Sequence, residues 1–508
     1  MSQTHSTEEH GNVVEFAGRR VQLGALDLGS NSFHLIIAQE SAGRIQIIDK
    51  HKEMVRLAAG LGPDNRLSKE STDRALDCLS RLAQRLRPLD NENIRIVGTN
   101  TLRLAKGNGF LQRAEEILGR RIDIISGHEE ARLIYLGVCH DLGSSDSQRL
   151  IVDIGGGSTE IILGHRFEPK RLESLYMGCV SMTRRFFPQG KITNAAMTRA
   201  VNASMVELEP VMTTFASPGW DIAIGTSGTI NSIQTTLKQI HNLDQISADH
   251  LAHLRKRVVA AKHLDNLDIP GLANERKAVF PGGLAILIAV FQALKIDTMT
   301  TSEGALREGL IFDLIGRQHQ DDIRDHSVNS LMDRFSVDRI QARQVREMSI
   351  SLLSQVATRW ELTNAECKQI ISWASDLHEI GMTLSHAGYH KHSAYMIENM
   401  DLPGFSRRDQ QQLATLVRAH RRKLSLDLFQ EGDRTSIRLA ALLRLSAVLH
   451  RNRSSESLPH FEATAKGRHL GIAIPKKWLK LHPLTKLDLK QECDYLEAID
   501  LTLEVELI

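Results

Sequence analysis

Two stretches of the chain share one form and decide the fold. Residues 21–40 read VQLGALDLGSNSFHLIIAQE, and residues 150–164 read LIVDIGGGSTEIILG. Each stretch is an apolar run, a turn made of Gly, Asn or Ser, and a second apolar run, which is the usual pattern of a β-hairpin. When the leading aspartates Asp27 and Asp153 are aligned, the two turns coincide. We therefore predict two hairpins of the same construction.

A second match follows each hairpin at almost the same distance. The segment IRIVGTNT contains Gly98, 71 residues after Asp27, and DIAIGTSGT contains Gly225, 72 residues after Asp153. Two matches in near-constant register indicate an internal duplication. Strand and helix patterns alternate between the matched points. We predict two similar α/β lobes that face each other, each with a mixed sheet covered by helices.

The rest of the chain differs in character. From about Gly309 to Asn452 the apolar pattern is helical, whereas the tail alternates apolar and polar residues as strands do. We predict four domains: a first lobe at 20–134, a second lobe at 135–311, an all-helical domain at 312–452 and a small α/β domain at 453–508.

Composition and charge are those of an ordinary intracellular protein. The 508 residues carry a net charge of +2, which indicates no strong attraction to nucleic acid, and the five cysteines form no CxxC pair, which suits a reducing cytosol. The first twenty residues lack the apolar segment of a secretory signal. The most apolar stretch, residues 279–294, is interrupted by Pro281 and short for a membrane span, so we predict a buried core helix there. We expect a cytoplasmic protein without a transmembrane segment.

Both hairpin turns are suited to phosphate. Glycine lets several backbone N–H groups converge on an anion, as in the turn 155–159, and the turn 29–32 replaces two glycines with side-chain donors. The leading aspartates, Asp27 and Asp153, end strands where a carboxylate can hold magnesium. A single such turn is typical of an ordinary tight hairpin, whereas a facing pair in a duplicated fold favours a ligand site.

A glutamate at a helix start is the candidate base. Ser126 and Glu129 have the spacing of a capping box, which gives Glu129 a structural role. Glu130 has no such role, and an ionised carboxylate near bound phosphate can accept a proton from attacking water. The alternative for Glu130 is an exposed first-turn glutamate.

Two more charged residues have competing interpretations. Arg103 follows the GTNT turn and can pair with phosphate oxygens, or it is a surface arginine. Glu160 lies just past the glycine-rich turn and either faces the cleft, where it helps to hold a cation, or faces solvent.

At these residues the sequence resembles the exopolyphosphatase/guanosine-pentaphosphate phosphohydrolase family, which has the duplicated ribonuclease H-like fold of actin, sugar kinases and Hsp70. The segments that carry the resemblance are DLGSNSFH (27–34), GTNTLR (98–103), ISGHEEARLIYLGV (125–138), DIGGGSTE (153–160), MGCVS (177–181), GTSGT (225–229), GALREG (304–309) and LHEIGMTLSHAGYHKHSAYMIENMDLPGF (377–405). The resemblance covers nearly the whole chain.

The resemblance implies magnesium-dependent hydrolysis of terminal phosphates from inorganic polyphosphate or from guanosine 5′-triphosphate 3′-diphosphate (pppGpp). It implies Glu130 as the catalytic base and Asp153 and Glu160 as the magnesium ligands. It also implies a homodimer with a long polyphosphate channel, and it is compatible with a peripheral position at the inner face of the membrane. The phosphate-binding residues that it implies are Asn31, Ser32, Arg103, Gly155, Gly156, Gly157, Ser158 and Thr159.

The helical region resembles a degraded HD-type phosphohydrolase domain. The His-Asp pair of such sites is His378-Glu379 here, and the helix around residues 343–354 has no histidine, so we predict no second hydrolase centre. We expect His386, His390 and His392 to be polar or anion-contacting surface residues. A group of cationic residues either forms a solvated helix face or lines a channel for a polyanion: Arg407, Arg408, Arg418, His420, Arg421, Arg422 and Lys423.

The leading hypothesis is a processive exopolyphosphatase, and the alternative is a pppGpp 5′-phosphatase or one site with both activities. Two features favour polyphosphate. One is the unbroken glycine run 155–157, since the pppGpp branch of the family looks to carry alanine at the third position. The other is the pair of segments HAGYHKHSAY and RAHRRK, which resemble the polyphosphatase branch. An actin-like ATPase or sugar kinase shares the fold, but Glu130 and its motif argue against it. The retained site residues argue against a non-catalytic sensor.

Overall fold

The computed structural model describes residues 21–41, 44–107, 109–143, 145–242, 244–318, 322–454 and 457–508. The first twenty residues, where we predict no secretory signal, lie outside the described residues. The chain divides into two units, Met1–Gln320 and Asp321–Ile508.

The first lobe contains a five-stranded sheet with the strand order β3-β2-β1-β4-β5. The strands are β1 (Val21–Leu28), β2 (Phe33–Ser41), β3 (Arg44–Glu53), β4 (Ile94–Gly98) and β5 (Asp123–Ile124). Strands β1 to β3 are antiparallel neighbours, and β1, β4 and β5 are parallel. Residues 21–41 thus form the predicted hairpin, in which Asp27 lies opposite His34.

The second lobe repeats this arrangement in a sheet with the order β10-β11-β9-β6-β7-β8. The strands are β6 (Gln148–Ile154), β7 (Thr159–His165), β8 (Glu168–Leu175), β9 (Ile222–Thr226), β10 (Ile246–Ser247) and β11 (Thr298–Thr301). Strands β6 to β8 are antiparallel neighbours, and β6, β9 and β11 are parallel. The order and directions match those of the first lobe, with β10 added, so the predicted duplication is confirmed. Asp153 lies opposite Glu160.

Helices follow the strands in the same unit. They are α1 (Lys69–Leu86), α2 (Asn100–Leu104), α3 (Phe110–Leu118), α4 (Gly127–Leu142), α5 (Cys179–Phe186), α6 (Asn194–Ala216), α7 (Ser227–His241), α8 (Ala248–Ala260), α9 (Asn274–Lys277), α10 (Phe280–Leu294) and α11 (Leu306–Gln318). Helix α1 begins after Ser68, whose hydroxyl accepts a hydrogen bond from the Ser71 N–H.

Helices α4 and α11 connect the two sheets through one apolar cluster. The cluster joins Ile36 of the first sheet and Ile151 of the second sheet to Leu133 of α4 and Leu310 of α11. The two helices approach so closely that a Cβ at position 309 would overlap the carbonyl oxygen of Leu133, and the glycine at this position avoids that overlap. This packing places the start of α4 and the start of α11 beside the hairpin turns.

The predicted core helix at 279–294 is α10, and nearly all of its side chains are buried. Among the helices of the described residues, none combines the length and apolar character needed to cross a membrane.

The second unit contains helices and a three-stranded sheet with the order β12-β13-β14. The elements are α12 (Ile323–Arg334), α13 (Arg339–Val356), α14 (Ala365–Leu377), α15 (Tyr389–Asn399), α16 (Arg407–Ala419), α17 (Arg434–Leu449), β12 (Glu462–Lys466), β13 (His469–Ile474), α18 (Lys476–Leu481), α19 (Pro483–Glu497) and β14 (Thr502–Leu507). The strand pattern predicted in the tail corresponds to β13 and β14. The helices and the small sheet share one apolar core.

The predicted domain limits stay predictions. Two of them, 134/135 and 311/312, fall inside the continuous helices α4 and α11. The limit at 452/453 separates residues that contribute to one core.

Two histidine predictions in the second unit are wrong. His390 is 7% exposed and His420 is 1% exposed, so neither is a surface residue. Burial, followed by the proximity of His378, holds the pKa of His420 well below its ordinary value, so it adds no charge to the cationic group. His386 is exposed, as predicted.

The degraded His-Asp position is occupied by an ion pair. Both oxygens of Glu379 lie 2.7 Å from Nη2 of Arg453. The side chain of Glu379 is 9% exposed, and that of His378 is 2% exposed. The resemblance to HD-type domains and the absence of a second hydrolase centre stay predictions.

Candidate active site

The two hairpin turns meet in a cleft of about 530 Å³ between the lobes. A Cβ on Gly156 of the second turn would lie 3.0 Å from Cβ of Ser30 in the first turn. The predicted site residues that line the cleft are Asn31, Ser32, Glu130, Asp153, Gly155, Gly156, Gly157 and Ser158. These predicted site residues, which lie as far apart in the chain as Asn31 and Ser158, therefore line one cleft.

The turn of the first lobe presents hydrogen-bond donors. Arg307 Nη1 lies 3.1 Å from Nδ1 of His34, and Nε2 of His34 lies 2.7 Å from the Ser32 hydroxyl. Because a guanidinium can only donate, Nδ1 accepts, and Nε2 carries the ring proton and donates it to Ser32. Burial, with Arg307 second, lowers the pKa of His34 well below its ordinary value, so the ring is neutral. The Ser32 hydroxyl proton is left to point at a ligand.

Two atoms of this hairpin have no hydrogen-bond partner among the described residues, although both are shielded from solvent. They are Nδ2 of Asn31 and Oδ1 of Asp27. A buried donor and a buried acceptor without partners are costly, and each is satisfied when a ligand of the opposite polarity binds. The first hairpin is thus suited to an anion at Asn31 and a cation or a proton at Asp27.

The start of α4 places Glu130 in the cleft. The helix begins because the Ser126 hydroxyl accepts from the Glu129 N–H at 3.1 Å. Glu130 is 8% exposed, which excludes the exposed first-turn alternative. Arg103 Nη1 donates to Oε2 of Glu130 at 2.8 Å and to the Ile125 carbonyl at 3.0 Å. Arg103 is therefore a partner of the candidate base and no surface arginine.

Glu129 has a structural role, as predicted, but its carboxylate forms an ion pair, and only the Ser126 half of the expected capping box is seen among the described residues. Its side chain is 0% exposed and lies in a fork formed by Arg132 Nε at 2.8 Å and Arg132 Nη2 at 2.9 Å. Neighbouring glutamates on α4 thus have different surroundings: Glu129 is buried in an ion pair, and Glu130 lines the cleft.

The hairpin of the second lobe presents carboxylates. Asp153 lines the cleft, and Glu160 lies opposite it across the strand pair. Glu160 is 1% exposed and accepts a hydrogen bond from the Ser174 hydroxyl at 2.9 Å, which excludes the solvent-facing alternative. Burial, followed by the charge of Glu130, raises the pKa of Asp153 to about 7 and that of Glu160 well above its ordinary range.

The carboxyl groups around the cleft call for positive charge. Burial and the charge of Glu130 also raise the pKa of Asp27, to about 8. In the described residues no three His, Cys, Asp or Glu side chains are arranged to hold a metal ion. Magnesium commonly takes only one or two protein carboxylates and completes its shell with water and phosphate oxygens. The pair Asp153 and Glu160, which lie opposite each other across the strand pair, fits that requirement.

Thr159 is the predicted phosphate contact whose side chain is engaged elsewhere. Thr159 is 0% exposed, and its hydroxyl donates to the Met177 carbonyl at 2.6 Å. The turn itself is closed by Gly155 N–H, which donates to the Ser158 carbonyl at 3.0 Å.

Sequence reasoning missed the cationic residues of the cleft. Arg307, Lys52 and Arg276 all line it. Partial burial and the nearby Arg276 lower the pKa of Lys52. Arg307 lies in the quoted segment GALREG, which was the available signal. Lys52 and Arg276 carried none, because β3 and α9 meet only in the folded chain.

Two lobes of matching topology, with facing turns and a carboxylate-lined cleft, define a two-lobed protein of the actin-like fold. The comparisons make the class specific. The Ppx/GppA phosphatase family matches residues 36–318, and domain III of that family matches residues 323–493. The chain belongs to the Ppx/GppA phosphatase family, as the sequence motifs predict.

Named relatives cover almost the whole chain. A protein from Aeromonas salmonicida called guanosine-5′-triphosphate,3′-diphosphate pyrophosphatase is 39% identical over 487 residues, which are 95% of this chain and 96% of that protein. A protein of the same name from Vibrio vulnificus is 40% identical over 493 residues, which are 96% of this chain and 99% of that one. The crystal structure of an exopolyphosphatase from Cytophaga hutchinsonii is 25% identical, covers 58% of this chain and 98% of its own, and has a TM-score of 0.54.

Family membership makes the chain a hydrolase that acts on phosphoanhydride bonds, as predicted. The names of the two relatives agree with the alternative substrate, pppGpp, better than with the leading prediction of polyphosphate.

Proposed function

We propose that the chain hydrolyses the terminal 5′-phosphate of pppGpp and releases orthophosphate. The observation that carries this proposal is the position of Glu130, which is held by Arg103 at 2.8 Å in a cleft lined by two phosphate-type turns. The substrate is supported by two relatives, 39% and 40% identical, that are named guanosine-5′-triphosphate,3′-diphosphate pyrophosphatase.

In the proposed reaction Glu130 acts as general base. Arg103 bonds to Oε2 of Glu130, so Oε1 can accept the proton of a water as its oxygen attacks the terminal phosphorus. The new P–O bond forms as the bond to the bridging oxygen breaks, and the remaining guanosine 5′-diphosphate 3′-diphosphate leaves. Arg103 thereby orients the base and places positive charge beside the reacting phosphate.

The turns hold the terminal phosphate in this proposal. Nδ2 of Asn31, which lacks a partner among the described residues, and the Ser32 hydroxyl donate to its oxygens. The backbone N–H groups of residues 156–158 would donate to the same phosphate. The Thr159 hydroxyl, engaged by Met177, contributes to the shape of the turn.

Asp153 and Glu160 would hold magnesium. The ion would supply positive charge that neutralises phosphate oxygens. Fixing it at a strand pair whose register places the two carboxyl groups opposite each other gives the second hairpin a role distinct from that of the first.

The cationic side chains of the cleft suit a second phosphate group. Lys52, Arg276 and Arg307 line the cleft, and pppGpp carries a diphosphate at the 3′ position in addition to its triphosphate. Lys52 and Arg276 would bind that diphosphate and contribute to substrate affinity.

Polyphosphate remains the second candidate substrate. The Cytophaga hutchinsonii structure carries the name exopolyphosphatase, and the glycine run 155–157 is unbroken. A Cβ on Gly157 would lie 2.6 Å from Oδ1 of Asn100, so the third glycine has a packing reason that does not depend on the substrate. This weakens the glycine run as an argument for polyphosphate.

The test is phosphate release, with magnesium, from pppGpp and from long-chain polyphosphate by the native chain and by Glu130→Ala. Loss of a positioned base should slow turnover by about 10²- to 10⁴-fold. Glu70→Ala is the matched control, because Glu70 is also a first-turn glutamate, on α1, but its side chain is 90% exposed. Full activity of Glu130→Ala would refute the assignment of the base, and a clear preference for polyphosphate would refute the substrate.

The homodimer, the polyphosphate channel, the cytoplasmic location and the peripheral position at the membrane stay predictions, since nothing in the described residues tests them.

A further inference from the structure

A buried cluster of charged side chains adjoins the first turn of α4. It contains three arginines and three carboxylates, so their formal charges balance. Its members are Arg95, Asp123, Glu129, Arg132, Asp313 and Arg317. We refer to these six residues as the arginine–carboxylate cluster.

Asp313 is the centre of the cluster. Its carboxylate accepts hydrogen bonds from Arg95 Nη1, from Arg132 Nη2 and, at 2.8 Å, from Arg317 Nε. Arg132 also donates two hydrogen bonds to the carboxylate of Glu129. The side chain of Asp313 is 2% exposed and that of Arg95 is 4% exposed, so solvent screens these contacts little.

The cluster joins β4, α4 and α11, three of the elements that place residues at the cleft. Arg95 lies in β4, which leads into α2 and Arg103. Glu129 and Arg132 lie on α4, the helix of Glu130. Asp313 and Arg317 lie on α11, whose second residue is Arg307. A shift of any one element would break a contact to Asp313.

The link to the candidate base is direct along the chain. Glu129 and Glu130 are consecutive residues in the first turn of α4, where helix ends fray unless they are tied down. Successive helical side chains point about 100° apart. Fixing the Glu129 carboxylate between Arg132 and Arg95 therefore fixes the direction in which Glu130 leaves the helix.

Stability alone is a weak reason for such a cluster. Taking charges out of water offsets most of the attraction between them, so buried ion pairs contribute little compared with apolar side chains of the same volume. What they do provide is directional contact, because a guanidinium that donates two hydrogen bonds to one carboxylate holds that carboxylate in a single orientation.

We propose that Asp313 is a positioning residue for the hydrolysis, and that it acts through Arg132 and Glu129 to aim Glu130 into the cleft beside Arg103. This inference rests on the proposed role of Glu130. It assigns no contact between Asp313 and the substrate.

The first experiment is Asp313→Asn, which keeps the size of the side chain and removes its charge. Displacing a catalytic group by about 1 Å is enough to lower kcat by about 10- to 100-fold, and KM should stay near its native value because the turns are untouched. Glu492→Gln is the control: it neutralises another buried carboxylate, paired with Arg444 at 2.6 Å in the second unit. It should lower the melting temperature without lowering kcat.

A double-mutant cycle separates positioning from general damage. In a Glu130→Ala background, Asp313→Asn should have little further effect on kcat, because the group that it positions is gone. An undiminished further loss would show that Asp313 only supports the fold and would overturn the inference. Activity retained by Glu130→Ala would overturn the proposed function and this inference with it. Loss in Glu130→Ala with a native kcat in Asp313→Asn would overturn the inference alone.

A milder variant serves if Asp313→Asn does not fold. Arg132→Lys keeps the positive charge but loses the two-pronged contact with Glu129. We expect a folded protein with lowered kcat and native KM. A native kcat in a folded Arg132→Lys protein would contradict the inference.

Discussion

The two hairpins of this protein have one backbone and different chemistry. In each, an aspartate near the end of the first strand faces a partner across the strand pair: His34 opposite Asp27 in the first hairpin, and Glu160 opposite Asp153 in the second. Strand order and strand directions around the two hairpins are the same. The two hairpins therefore share their backbone geometry through the duplication. Their chemistry differs at the position opposite the aspartate, which is His34 in one hairpin and Glu160 in the other.

The difference has a physical consequence. At the first hairpin, Arg307 donates to His34, which leaves the Ser32 hydroxyl to donate onward to an anion. At the second hairpin, Glu160 accepts from Ser174 and adds a second carboxyl group beside Asp153. We expect the side chains of the first hairpin to hold phosphate and the carboxylates of the second to hold a cation, while the backbone of the second turn also donates to the phosphate. The following variants can break or sharpen this division of labour between the side chains.

Among the variants of the two hairpins, the largest expected effect is at Glu160. Glu160→Gln keeps an acceptor for Ser174 but removes the charge, so we expect kcat to fall about 10- to 100-fold and the magnesium concentration for half-maximal activity to rise. His34→Ala at the matching register position should instead raise KM for pppGpp and leave the magnesium requirement unchanged. Steady-state kinetics over a magnesium series measures both. Equal shifts of the magnesium requirement in the two variants would show that the hairpins share one role.

The fold was predictable because its evidence is local and repeated. The hairpins, the duplication and most helices follow from short patterns such as residues 21–40 and 150–164, and the strand orders agree. The site was predictable only in its motif residues. Thr159, inside a motif, turned out to donate to Met177, because a pattern of residue types does not say which side chain is already engaged.

Contacts between distant parts of the chain were out of reach. Asp313 accepts from Arg95 and Arg132, and the sequence between these residues carries no sign of the pairing. His390 was expected to be a surface residue, and His420 was expected on a solvated helix face or a channel wall. Both are buried. Burial is set by the packing of whole helices, which single residue types do not encode.

A middle-sized effect distinguishes two residues of the predicted phosphate site. Nδ2 of Asn31 has no partner among the described residues, so Asn31→Ala loses no hydrogen bond in the free protein. It should raise KM by about 10-fold, since a bond to a charged group contributes about 1.5–3 kcal/mol, and should leave the melting temperature unchanged or slightly higher.

Thr159→Val is the contrasting variant in the second hairpin. Its hydroxyl donates to the Met177 carbonyl, so its loss should cost about 1 kcal/mol of folding stability and leave KM unchanged. Thermal melts and steady-state kinetics separate the two results. A rise in KM for Thr159→Val would mean that its hydroxyl turns to the ligand.

The smallest effect is on the pH dependence of stability. The folded-state pKa is about 8 for Asp27 and about 7 for Asp153, against an ordinary value of 3.8, with burial as the main cause. Between pH 4 and 8 the folded protein keeps protons that the unfolded chain has released, so stability should fall as pH rises through this window. A bound cation favours the charged carboxylates, so magnesium should raise the melting temperature more at pH 8 than at pH 5, by a few degrees at most. Asp27→Asn should flatten the pH dependence and keep most of the magnesium shift, whereas Asp153→Asn should flatten the pH dependence and lose the magnesium shift. If Asp27→Asn abolishes the magnesium shift and Asp153→Asn does not, the cation belongs to the first hairpin and the division of labour is reversed.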